Sequence, residues 1–134
     1  MKCSKILIAG LFWTCVAFTQ TQNKLPADIV RALETGNSKE ISKHFYSSVE
    51  LILTQSSGVY GKSQAEKILK NFFDTNGPNF KYKDKHGNGS KDDSQRNYIG
   101  DLTNDNGIRY RISIYMKNNQ IHQLRLEIGE QEGL

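Results

Sequence analysis

Beyond residue 19 the chain has no cysteine and no tryptophan, because Cys3, Trp13 and Cys15 all fall in its opening segment. Without thiols downstream, thiol catalysis, cysteine metal sites and disulfide bracing are excluded there, and the fold has to hold by packing. Proline is scarce as well, at Pro26 and Pro78 only. The longest apolar run, Ile6 to Phe18, falls short of the ~20 residues a spanning helix needs, and no stop-transfer pattern follows it. Charge of one sign is also lacking. The formal net charge is +4, and Lys2 and Lys5 account for half of it, leaving about +2 on the rest of the chain. So small a surplus argues against a dedicated nucleic-acid binder. His44, His86 and His122 are scattered without metal-ligand spacing, so neither a metal nor another cofactor is expected.

What is there begins with an address. Lys2 and Lys5 form a basic start, the apolar run follows, and Ala17-Phe18-Thr19 supplies small residues where a signal peptidase reads. Residues 1–19 therefore read as a signal peptide, and residues 20–134 as one exported α+β domain, periplasmic or secreted. A lipoprotein reading would acylate Cys15, but the bulky Phe12 and Trp13 suit a lipobox poorly.

Three helices are legible. Pro26 suits a first helical position, Ile29, Ala32 and Leu33 share a face, and Gly36 can close the turn in a left-handed conformation. Asn37 with Glu40 forms a capping box for a second helix carrying Ile41 and Phe45 and ending near Tyr46; Val49 to Leu53 follows as a strand. Ser63 to Glu66 reads as another capping box. Behind it Ala65, Ile68, Leu69, Phe72 and Phe73 form an apolar stripe that Asn76-Gly77-Pro78 terminates.

From Phe80 the period changes to two, with Phe80 and Tyr82 alternating with Lys81, Lys83 and Lys85. Such a lysine stripe is an ordinary solvated strand face that also guards an edge. Gly87 to Ser94 reads as a polar loop. Strands are then expected over Gln95–Thr103, Ile108–Lys117 and Ile121–Ile128, turning at Asp105-Asn106-Gly107 and Asn118-Asn119. Tyr110, Ile112, Ile114 and Met116 share a face, as do His122, Leu124, Leu126 and Ile128. Three-residue loops at both turns would align these sets and bring Tyr98 and Leu102 alongside. Asp101, Arg111 and Glu127 would then lie abreast on the opposite face. Asp92-Asp93 and Asp101 to Gly107 miss the spacing of a calcium loop, and turn formation accounts for them.

Ala32-Leu33-Glu34-Thr35-Gly36-Asn37, Val59 to Glu66, Leu69-Lys70-Asn71-Phe72-Phe73, Tyr98-Ile99-Gly100-Asp101-Leu102 and Gln123 to Glu127 resemble an uncharacterised family of exported proteins from Bacteroidota-type bacteria. Two or three short helices followed by an antiparallel sheet ending in three consecutive strands also resemble the nuclear transport factor 2-like superfamily. The resemblance implies an α+β fold in which a curved antiparallel sheet wraps as a cone around two to three helices, with an apolar interior. It brings no activity with it.

Two function classes follow. The first is a non-catalytic binding module for a small apolar ligand or a protein partner, with Tyr60, Tyr98, Tyr110 and His122 lining a pocket and no catalytic residue assigned. A filled core whose tyrosine hydroxyls reach the rim explains the same tyrosines, and a strand-end imidazole reaching water explains His122. The second class is an isomerase- or dehydratase-type enzyme with an unrecognised acid–base group. A homodimer through the sheet face is compatible with either.

Overall fold

The computed structural model describes residues 24–77, 79–89 and 94–129. The expected signal peptide, Pro78 and Asp92-Asp93 lie outside them. Three helices, α1 (Ala27–Glu34), α2 (Ser38–Ser42) and α3 (Lys62–Asn76), accompany six strands: β1 (Phe45–Leu53), β2 (Ser57–Gly61), β3 (Phe80–Gly89), β4 (Gln95–Asn104), β5 (Arg109–Lys117) and β6 (Gln120–Ile128). The strands form one sheet in the order β2-β1-β6-β5-β4-β3. This is the expected cone-like α+β fold. Within it β1 and β6 run parallel, so the sheet is mixed.

Local chemistry explains the helix ends. Pro26 sits one residue outside α1, as its N-cap, and Gly36 closes the helix at φ 64°. The Asn37 amide then reaches back to the Ala32 carbonyl at 2.8 Å, the long bond of a left-handed C-cap. That bond occupies the donor which Glu40 would need for a reciprocal box. Asn37 still caps α2 by accepting from the Glu40 amide at 3.1 Å, while the Glu40 carboxylate pairs with Lys43 at 2.7 Å. The second expected box fails differently: α3 starts at Lys62 with Gly61 as its cap, which leaves Ser63 inside the first turn.

Phe45 is not on α2. It opens β1, where the Ile121 amide bonds the adjacent His44 carbonyl at 2.6 Å, and it is fully buried there. An apolar residue four positions after Ile41 fits either period, and strand pairing decided the matter. β2 has no precedent in the sequence pattern because its five residues include two glycines and one serine, weak strand formers held in place by β1. β3 runs through Gly89, paired with β4 as far as Arg96, so Gly87 to Gly89 of the expected polar loop belong to a strand, and residues 90–93 lie outside the described residues.

Both late turns bear on the site. The Asp105-Asn106-Gly107 loop has three residues as expected, with Gly107 at φ 79° and the Asn104 amide bonding the Ile108 carbonyl at 3.0 Å. The second turn has two residues. Asn118 and Asn119 are both left-handed, at φ 51° and 63°, and Lys117 faces Gln120. Ile112↔Leu126 and Ile114↔Leu124 nonetheless pair face to face, because the register shifts after Tyr115. The extra residue that the loop lacks is supplied by a bulge in β6. Asp101, Arg111 and Glu127 lie abreast as expected. Asp101, however, pairs with Lys85 at 3.1 Å, and Glu127 approaches Arg125 at 3.9 Å.

The helices lie on the inner face. Ile29, Leu33, Ile41, Leu69 and Phe73 pack with Leu51, Leu102, Ile112, Ile114, Leu124 and Leu126 in one continuous core. Gly100 belongs to that face for a steric reason. A Cβ there would stand 2.6 Å from the Tyr82 ring and 2.7 Å from the Lys83 carbonyl. Among the described residues no helix is long and apolar enough to cross a membrane.

Candidate functional site

α3 is wider in its apolar stripe than the sheet can cover. Ala65, Leu69 and Phe73 are buried, but Ile68 and Phe72 remain half-buried along the flank facing the β1–β2 turn. Between that flank and the sheet end opens a cleft of about 550 Å³. Its apolar floor consists of Leu53, Ile68, Phe72, Tyr110 and Ile128; Gln55, Gln64, Lys67, Lys70, Asn71 and Asp74 stand around it. The Phe72 ring meets Tyr110 edge-on at 5.3 Å, which holds the floor in one geometry.

At the inner end the Tyr110 hydroxyl donates to Asn76 Oδ1 at 2.9 Å. Asn76 Nδ2 donates to the Phe72 carbonyl at 2.8 Å, and the Asn76 carbonyl accepts from Asn104 Nδ2 at 3.1 Å. Asn104 Oδ1 in turn accepts from the amides of Asn106 and Ile108. The C-terminus of α3 is thereby tied to the β4–β5 turn, with the last carbonyl of the helix given a partner. Burial pushes the Tyr110 phenol above its ordinary pKa, so the hydroxyl is a donor here.

Of the four residues expected at a pocket, the structure brings only Tyr110 to this cleft. Tyr98 is buried in the core, and Tyr60 packs half-buried against it on the inner face. His122 points the other way. The bulge that restores register turns Ile121 and Leu124 inward and leaves His122 on the outer face, stacked on Tyr46 with ring centroids 4.4 Å apart. Tyr115 meets the same imidazole at 6.1 Å. The imidazole therefore faces away from the cone interior, and the inward aim expected for it is corrected.

The residues that sequence reasoning missed are Leu53, Gln55 and Ser56 at the β1–β2 turn, and the α3 flank Gln64, Lys67 and Asn71. A usable signal was present in the stripe. Ile68 and Phe72 lie about 100° off the Ala65–Leu69–Phe73 line, a width that one sheet face does not cover. A second tyrosine has a strongly raised pKa. Burial, then the 2.6 Å bond to Asp84 and its charge, hold the Tyr82 phenol protonated, but it lies at the β3 edge away from the cleft. Among the described residues no group of three His, Cys, Asp or Glu side chains is placed to hold a metal.

Comparison with known proteins agrees with the fold. The model of the DUF4783 family, a domain of unknown function, matches residues 26–127. No curated protein matches the chain. A DUF4783 crystal structure from Bacteroides ovatus is 27% identical with a TM-score of 0.68, covering 81% of this chain and 99% of that one. An NTF2-like protein of unknown function from Cytophaga hutchinsonii shares 15% identity at a TM-score of 0.52, covering 76% and 84% of the two chains. A cystatin-like domain of unknown function from Nostoc punctiforme shares 9% at 0.63, covering 78% and 73%. The last two are similar in fold alone.

Proposed function

This chain belongs to the DUF4783 family, and on that footing we propose that it is an exported, non-catalytic binding module whose cleft takes a small, mostly apolar ligand. One observation carries the reading: a cleft under a polar rim whose floor exposes Ile128 and the half-buried Ile68 and Phe72 beside the buried Leu53 and Tyr110. Single-chain proteins seldom leave such a surface uncovered without a use for it. Tyr110 suits orientation by a hydrogen bond better than proton transfer, because its hydroxyl is engaged by Asn76 and kept protonated by burial. An isomerase or dehydratase would need two ionisable groups converging on the bound ligand as acid and base. Lys70 and Asp74 instead stand exposed on the rim.

Fluorescence titration with 1-anilinonaphthalene-8-sulfonate tests the cleft. Saturable binding by the purified protein is expected, weakened at least tenfold by Ile68→Lys, which places a charge on the floor. Binding that Ile68→Lys leaves intact would remove the cleft as the site. Turnover of a dehydratable substrate, lost on Asp74→Asn, would favour the enzyme. Export has its own test in the mass of the protein recovered from its native cells: a chain starting near Gln20 is expected, and an intact Met1 or a lipid on Cys15 would overturn it.

A further inference from the structure

The two edges of the sheet are treated very differently. β3 forms one edge, and it carries the exposed Lys81, Lys83 and Asp84. It is also covered: the Tyr82 amide, on the free side of the strand, donates to the Glu34 carboxylate of α1 at 3.2 Å. Charges and an overlying helix are the usual means by which a sheet edge is kept from pairing with another strand. β2 forms the other edge, and it carries no charged side chain. From Leu51 to Gly61 the chain contains no charged residue, no proline and no lysine. Val59 at the middle of β2 is 69% exposed, the highest value among the exposed large hydrophobic side chains.

The direction of the free backbone groups follows from the register. The Leu53 amide bonds the Ser56 carbonyl at 2.9 Å, which makes Leu53–Ser56 a hydrogen-bonded pair. Hydrogen-bonded and non-bonded pairs alternate along an antiparallel ladder, so Leu51–Gly58 and Val49–Tyr60 are bonded pairs too. The amides and carbonyls of Ser57 and Val59, and the amide of Gly61, therefore point away from β1, toward the open edge; the Gly61 carbonyl serves the first turn of α3.

We propose that the β2 edge is a docking site for a second copy of this chain, paired antiparallel about a two-fold axis at Val59. The occupant of such an edge has to be an extended, uncharged strand, and β2 meets that requirement itself. Placing Val59 opposite its symmetry mate makes a bonded pair at the axis and puts Ser57 opposite Gly61 on each side. Four main-chain hydrogen bonds form, two at the Val59 pair and one from each Gly61 amide to the facing Ser57 carbonyl, and no like charges face each other within the paired segment. The two Val59 side chains lie on the same outer face, since Val59 is opposite the exposed Glu50, and each covers the other. A Cβ at Gly61 would meet nothing within 4 Å, so the facing Ser57 finds open space there. A five-residue strand pair buries well below the ~1,600 Å² of a standard interface, which makes this a weak, concentration-dependent dimer. It leaves the cleft unoccupied.

Sedimentation velocity over a hundredfold range of concentration, up to the solubility limit, tests the proposal. The purified protein is expected to shift from monomer toward dimer. Two variants address the edge and leave the residues of β1 unchanged. Val59→Lys puts a charge at the axis. Gly61→Pro removes one outward amide hydrogen at a residue whose φ of −65° already suits proline. Each is expected to raise the dimer dissociation constant at least tenfold while leaving the circular dichroism spectrum and 1-anilinonaphthalene-8-sulfonate binding unchanged. A wild-type protein that stays monomeric throughout overturns the proposal. So does a dimer that survives both variants, which would point to the outer sheet face or another surface. If neither variant folds, Ser57→Pro and Val59→Asp replace them against the same criteria.

Discussion

The Tyr110 hydroxyl donates to Asn76 Oδ1 at 2.9 Å, joining the second residue of β5 to the last residue of α3 at the inner end of the cleft. The contact is between groups that water reaches poorly, so removing one partner leaves the other short of a bond. We expect Tyr110→Phe to cost about 1 kcal/mol and Asn76→Ala about 2 kcal/mol, because the second also releases the Phe72 carbonyl. Urea unfolding of both single variants and the double variant should show them to be coupled rather than additive.

Gly100→Ala should be among the more damaging small substitutions in the sheet. The new methyl would meet the Lys83 carbonyl at 2.7 Å as well as the Tyr82 ring, and a strand backbone cannot swing aside as a ring can. A loss of about 2–3 kcal/mol is expected. Adding Tyr82→Ala should restore only part of it in thermal unfolding, since the carbonyl contact persists.

Alkaline pH should destabilise the fold through Tyr82. Burial and the Asp84 carboxylate raise its folded pKa above the ordinary value of 10.0. The stabilisation tied to the protonated phenol is complete below pH 10 and declines as pH rises past it toward the folded pKa. Chemical denaturation between pH 8 and 11.5 should therefore show stability falling above pH 10. Tyr82→Phe should flatten that fall, and absorbance at 295 nm should show one fewer late-ionising tyrosine.

The turn at Asn118-Asn119 offers a test of the register. Both residues are left-handed, a conformation that costs a β-branched residue roughly 1–2 kcal/mol. Asn119→Val should lower stability by that amount. Asn119→Gly should leave it unchanged or raise it by a few tenths of a kcal/mol. A tolerated valine would mean that the turn has three residues after all.

His122→Ala should leave 1-anilinonaphthalene-8-sulfonate binding within twofold of wild type, because the imidazole stacks on Tyr46 outside the cone. Its stability cost should stay near 1 kcal/mol, the value of one exposed aromatic pair. A large loss of binding would return His122 to the site.

Strong local signals were sufficient for much of this fold. The stripe of α3, the Gly36 and Gly77 stops, the three C-terminal strands and the Asp101–Arg111 pairing follow from periodicities of 3.6 and 2 and from turn chemistry that acts within a few residues, whereas Glu127 joins that row only because the β6 bulge supplies the residue that the second turn lacks. These carry the fold class. Where a residue suited either period, tertiary pairing decided: Phe45 entered β1 because β6 was there to bond the segment, and Gly58 is in a strand because β1 holds it. The site was less legible still. Tyr98, Tyr110 and His122 share a strand-period logic, yet a two-residue turn followed by a bulge conserved the register of Leu124 and Leu126 while turning His122 outward. A bulge leaves no mark in composition or alternation, because it answers the twist and pairing of neighbouring strands. The cleft depended on one further quantity that no local pattern contains, the width of α3's apolar stripe relative to the sheet beneath it. The residues determined by themselves which faces are apolar; only the packed structure decided how much of each face is covered, because coverage is a property of two surfaces and not of one.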